Sequence, residues 1–277
     1  MWIGIGNTIL RCGGGVIVDP DLATYMAGLS TPLNTSQKTL LNSFYITIKS
    51  GLGLTNIYDY FDIIYILGGE TKESSYRNLV KRAHDITVTF EPTWTAFEGS
   101  RGNGSTQFLN SNYNPSTHGI NYTQNNASLG IYSRTDKSAN MRDIGVYDGV
   151  AISSFMFKAV DDNFFCTLND GAGYIWGAIY TNTLGLFMLT RNNNTAVDQY
   201  LYYNKTLVNK TVSAGNTTGV PNVNLYICGC NLNGTLLNPS DRQLSFAFAG
   251  KYITTAMRDV IVDAFETYMD ANGKGVI

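Results

Sequence analysis

The sequence predicts a mainly β protein: an antiparallel β-sandwich preceded by a small helical segment and closed by a C-terminal helix. Three observations carry that prediction. The chain of 277 residues holds 28 Asn, 29 Thr, 28 Gly and 18 Tyr against only 5 Glu and 10 Lys, the usage of sheets and tight turns rather than of helices. Its hydrophobic period changes from helical to alternating near residue 85. A helical stripe then returns after residue 254.

The order of elements follows from local pattern. Residues 1–18 are Gly-rich and interrupted, ending in Gly13-Gly14-Gly15, and read as an attachment segment with Trp2, Ile3, Ile5, Ile9 and Leu10 as its apolar contacts. Residues 19–80 read as the small helical segment. Asp19 caps a short helix opened by Pro20, and Asn34 or Ser36 starts a second that aligns Leu40, Leu41, Phe44, Tyr45 and Ile48 and stops at Gly51. Phe61 to Leu67 reads as a strand. Residues 81–277 form the sandwich with its helix.

Alternating runs at 86–90, 106–109, 129–132, 151–158, 163–168, 174–180, 186–190, 196–203, 223–230 and 244–248 give ten strands at short spacing, enough for two packed sheets. Thr254 or Thr255 caps the final helix, whose Met257, Ile261, Ala264, Phe265 and Tyr268 should lie on the sandwich.

Composition also excludes function classes. Charged residues make up 14% of the chain and the formal net charge is −2, which rules out a basic nucleic-acid binder and a disordered tail, and no apolar run is long enough for a membrane span. The start of the chain lacks the basic, apolar and small-residue regions of a secretory signal. The four cysteines, Cys12, Cys166, Cys228 and Cys230, read as reduced and buried, because alternate strand residues face one way and zinc needs a second ligand pair.

Catalytic constellations are missing. A sandwich glycosidase needs two carboxylates about 5–9.5 Å apart across the sugar, and no Glu has an Asp two positions on, so the chain is expected not to be an enzyme. Asp161, Asp162 and Asp170 flank one strand and are the candidate metal ligands, for calcium, although their spacing matches no calcium loop. No other cofactor is expected. His118 reads as a hydrogen-bonded turn residue. The candidate glycan-binding residues are Asn112, Tyr113, Tyr122, Trp176 and Tyr180, aromatic and amide side chains of the type that stacks on sugar faces and bonds hydroxyls.

Several stretches, in order, resemble the concanavalin A-like (laminin G-like) jelly-roll domains of bacteriophage virion proteins. They are Asp19-Pro20-Asp21, Gly102-Asn103-Gly104-Ser105, Asn114-Pro115-Ser116-Thr117-His118, Ile131-Tyr132-Ser133-Arg134-Thr135, Leu244 to Gly250, and Gly273 to Ile277. The resemblance implies a virion surface component, a tail fibre, head fibre or capsid decoration, assembled in the host cytoplasm. Its partners would be other virion proteins and further copies of itself, most simply as a trimer, with a host surface glycan as ligand. The rival classes are a stand-alone carbohydrate-binding module and a glycoside hydrolase-like protein.

Overall fold

The computed structural model describes residues 18–277 except 82, 157–162, 172–174, 179–181, 209 and 213–216. Two sheets face each other. The first runs in the order β12 (Thr206–Leu207), β11 (Gln199–Tyr203), β10 (Gly185–Arg191), β5 (Ala127–Ser133), β17 (Gln243–Gly250), β3 (Gly99–Arg101) and β2 (Thr93–Thr95), with β1 (Phe61–Tyr65) also paired to β17. The second runs β13 (Thr211–Val212), β9 (Ile175–Ala178), β8 (Asn163–Asp170), β7 (Ile152–Met156), β6 (Ile144–Tyr147), β14 (Tyr226–Ile227) and β4 (Leu109–Asn110). A hairpin, β15 (Cys230–Leu232) and β16 (Thr235–Leu237), joins this sheet in parallel beside β6, and every other pairing among the described strands is antiparallel.

The expected helices form where their caps place them. Helix α1 (Pro20–Ala27) is capped by the Asp19 carboxylate, α2 (Thr35–Gly51) by Asn34, and α5 (Thr255–Ala271) by Thr254. Two short helices, α3 (Lys72–Tyr76) and α4 (Pro115–His118), interrupt the connections.

Alternation in the central strands sorts side chains into two cores. Leu129 and Ile131 of β5 and Phe187 and Leu189 of β10 face the second sheet, where Ile144, Phe155, Phe164 and Leu168 meet them. Tyr132, Leu186, Met188, Phe246 and Phe248 point the other way, onto α2 and α5. Strand β5 is therefore buried on both faces along its whole length. Gly130 belongs to the helix-side face, and a Cβ there would sit 2.1 Å from the Phe248 ring.

Helix α5 lies on the sandwich as its stripe requires. The Phe265 ring is fully buried and stacks on Phe246 at 4.4 Å between centroids. Phe44 of α2 meets both rings edge-on.

Three sequence expectations are corrected. Residues 86–90 form no strand beyond a single bridge between Thr87 and Asn110. The run 223–230 is broken at Cys228, whose φ of +64° turns the chain between β14 and β15. Strands β2, β3, β6, β12, β13 and β16 were not expected. They are only 2 to 4 residues long.

Candidate binding surfaces

At one end of the sandwich two of the candidate residues, Tyr113 and Tyr122, meet Asp62 of β1, a carboxylate only 3% exposed. It accepts hydrogen bonds from the Tyr113 hydroxyl at 2.9 Å and from the backbone N–H groups of Ile120, Asn121 and Tyr122. Tyr113 and Tyr122 are consequently core residues, 0% and 2% exposed. The Tyr122 hydroxyl donates to Asn169 Oδ1 at 2.8 Å and lies 2.7 Å from Ser153 Oγ. Neither ring offers a face to a sugar. Asn112, with φ +54°, spends its amide on the Asp85 carbonyl and Thr87 hydroxyl.

The chain's two histidines meet at this end, their rings stacked at 4.3 Å. Asn114 N–H donates to His118 Nδ1, and His84 Nδ1 lies 3.0 Å from the Asn112 carbonyl. His118 is thus the hydrogen-bonded turn residue expected of it. Burial pushes the His84 imidazole below its ordinary value of 6.5, and the nearby His118 acts in the same direction.

Asp170 does not serve as a metal ligand on a surface. Its side chain is 0% exposed and sits 3.5 Å from the equally buried Arg191 guanidinium. Among the described residues no group of three His, Cys, Asp or Glu side chains could hold a metal ion. Asp161, Asp162, Tyr180 and the apolar residues Trp2, Ile3, Ile5, Ile9 and Leu10 lie outside the described residues.

Trp176 is differently placed. Its neighbour Ile175 is in the core, so alternation turns the indole onto the outer face of the second sheet, where it is 37% exposed. Phe165 on β8 and Thr211 on β13 flank it across the strands. The outer face of the first sheet is covered by α2 and α5, whereas this aromatic stands open.

Sequence reasoning passed over a second open aromatic, Tyr58, 36% exposed in the 3-10 turn Ile57–Asp59. It forms one wall of a cleft of about 320 Å³ between α1 and the segment following α3. Helix α1 contributes Asp21, Thr24 and the Tyr25 ring; the opposite segment contributes Arg77, Leu79, Val80 and Lys81. The signal was an aromatic among turn residues, Thr55-Asn56-Ile57-Tyr58-Asp59, the same composition that drew attention to Tyr113.

All five glutamates are engaged. Glu70 accepts from Asn34, Glu73 from Ser30 and Thr31, and Glu266 from Tyr132, Val276 and Ile277. Glu91 and Glu98 pair with Lys72 and Lys274.

No protein-family model matches the sequence, and no curated protein does. Among solved structures, a Trypanosoma rangeli sialidase in complex with 2,3-difluoro-KDN is similar, with a TM-score of 0.51 at 10% identity over 84% of this chain and 40% of that one. Domain 4 of a GH43 extracellular arabinanase from Geobacillus stearothermophilus, in complex with arabinotriose, gives 0.45 at 11% identity over 73% and 98%. The CBM40 of a Ruminococcus gnavus IT-sialidase gives 0.31 at 14% identity over 50% and 83%. This chain therefore spans about 40% of the sialidase it matches, and what it shares with that protein is a fold: two antiparallel sheets packed as a sandwich.

Proposed function

We propose that the chain is a non-catalytic glycan-binding module that engages sugar through the outer face of its second sheet. The observation that carries this reading is Trp176. An indole held open on a sheet, between Phe165 and Thr211, presents the flat apolar surface on which the C–H face of a pyranose stacks, with a hydroxyl beside it for orientation.

The setting we propose is the one the sequence resemblance implies, the surface of a virion, where copies arranged as a trimer would multiply weak single-site affinity by about 10²–10⁴. The three neighbours named above are not virion proteins, so this setting rests on the resemblance alone. Protein inventory of purified particles by mass spectrometry tests it, and absence of the chain from particles would remove it.

Binding of the full chain to a printed glycan array, beside Trp176→Ala, tests the module itself. The expected result is binding to a subset of glycans that falls by about tenfold or more in the variant, the worth of one aromatic stacking contact, with an unchanged melting midpoint. A wild-type chain that binds no glycan, or a variant that binds as well, would overturn the reading.

A further inference from the structure

The cleft walled by Tyr58 has a chemistry of its own, independent of Trp176. Its floor is apolar, made by the buried side chains of Leu79 and Val80 and the ring of Tyr25, whose hydroxyl is already committed to the Ser74 carbonyl at 2.7 Å. Tyr58 adds an open ring face. A volume of about 320 Å³ lies at the lower end of ligand pockets, roughly 300–1,000 Å³, and suits a single ring rather than a chain.

The polar rim is asymmetric. Lys81 is half-buried and has no ion-pair partner among the described residues. Among the described residues Arg77 beside it has only long contacts, 3.5 Å to Glu73 and 3.8 Å to Asp85, when charge-assisted hydrogen bonds run at about 2.7–2.9 Å. Its five guanidinium donors are therefore far from used up. The carboxylate on the other wall, Asp21, is already hydrogen-bonded to the buried Tyr45 hydroxyl. Lys81 and Arg77 both line the cleft, so one ligand carboxylate seated there would pair with two cations at once.

We infer that this cleft is a binding site for a single ring bearing a carboxylate, with the ring against Tyr58 and the carboxylate on Lys81 and Arg77. Two sources share that chemistry, an acidic sugar such as a uronic acid and a simple ring acid such as benzoate.

Titration of the full chain with glucuronate, galacturonate, benzoate and glucose, at low salt and followed by calorimetry, tests the inference. At least one of the acids should bind, and glucose about tenfold or more weakly. Lys81→Gln should weaken the acid by about tenfold or more, the loss of one charged hydrogen bond, and leave glucose unaffected. Tyr58→Ala should weaken it as well, whereas Trp176→Ala should leave it unchanged, which separates this site from the proposed glycan surface. Both cleft side chains are partly exposed, so melting midpoints should stay at the wild-type value. Preference for the uronates assigns the site to acidic sugars, and preference for benzoate to simple ring acids; either upholds the acid-binding cleft. The inference fails if no acid binds at tens of millimolar, if glucose binds as well as glucuronate, or if Lys81→Gln, folded, binds the acids as wild type does.

Discussion

Asp62 shows how one buried carboxylate organises an end of this protein. It holds the Tyr113 hydroxyl and the N–H groups of three consecutive residues, and Asp62→Ala would leave the Tyr113 hydroxyl and the Asn121 and Tyr122 N–H groups buried and unsatisfied. That substitution should cost about 3 kcal/mol or more in denaturant unfolding. His84 adds a pH dependence. Its folded value is depressed below 6.5, so the unfolded chain binds the proton more readily, and stability should be full above about pH 6.5 and fall as the pH drops through the folded value. His84→Asn should flatten that fall, because Asn tolerates the φ of +65° at this position and does not titrate. A melting midpoint recorded from pH 7 to 5 for both proteins checks the slope. At this scale the sequence was a poor guide: Tyr113, Tyr122 and Tyr58 all sit among Asn and turn residues, where the alternation that separates inside from outside is interrupted. Composition could nominate all three kinds of ring, but burial by a distant Asp62, 51 residues from Tyr113 in sequence, divided them.

Among the elements, α5 is the clearest case of local pattern deciding tertiary place. Phe265 is fully buried against Phe246, Phe44 and Tyr132. Phe265→Ala should lower stability by about 3–5 kcal/mol, read as a lowered thermal midpoint, and an unchanged midpoint would mean that the helix contributes nothing to the fold. Helices and long strands were legible because caps, glycine stops and sustained periods are written within each segment. Gly185–Arg191 and Gln243–Gly250 need no partner to be recognised as strands. Short edge strands such as Thr93–Thr95 were not legible, since pairing with Gly99–Arg101 creates them. The break at Cys228 was hidden for a related reason: nothing about a cysteine signals a left-handed backbone.

For the whole molecule, the sandwich could be read in advance, but not how its sheets are joined. Beyond apolar packing, a buried Arg–Asp pair crosses between the sheets at each end. Arg191 of β10 reaches Asp170 of β8, and Arg242, just before β17, meets Asp143, just before β6, at 2.7 Å. All four side chains are 0% exposed. Burial still pushes the Asp143 carboxyl up and the Arg191 guanidinium down, against the pull of their partners. Arg242→Met alone should cost about 3–5 kcal/mol by stranding Asp143, and Arg242→Met with Asp143→Leu should recover most of it; equilibrium unfolding of both variants decides. The placement of the pairs, one at either end of antiparallel strands running the length of the sandwich, has a mechanical consequence. A force that slides one sheet along the other loads both pairs at once, so neither end can peel open first. Loss of either pair would turn that shared shear into sequential unzipping from the weakened end, with a drop in rupture force out of proportion to the change in equilibrium stability.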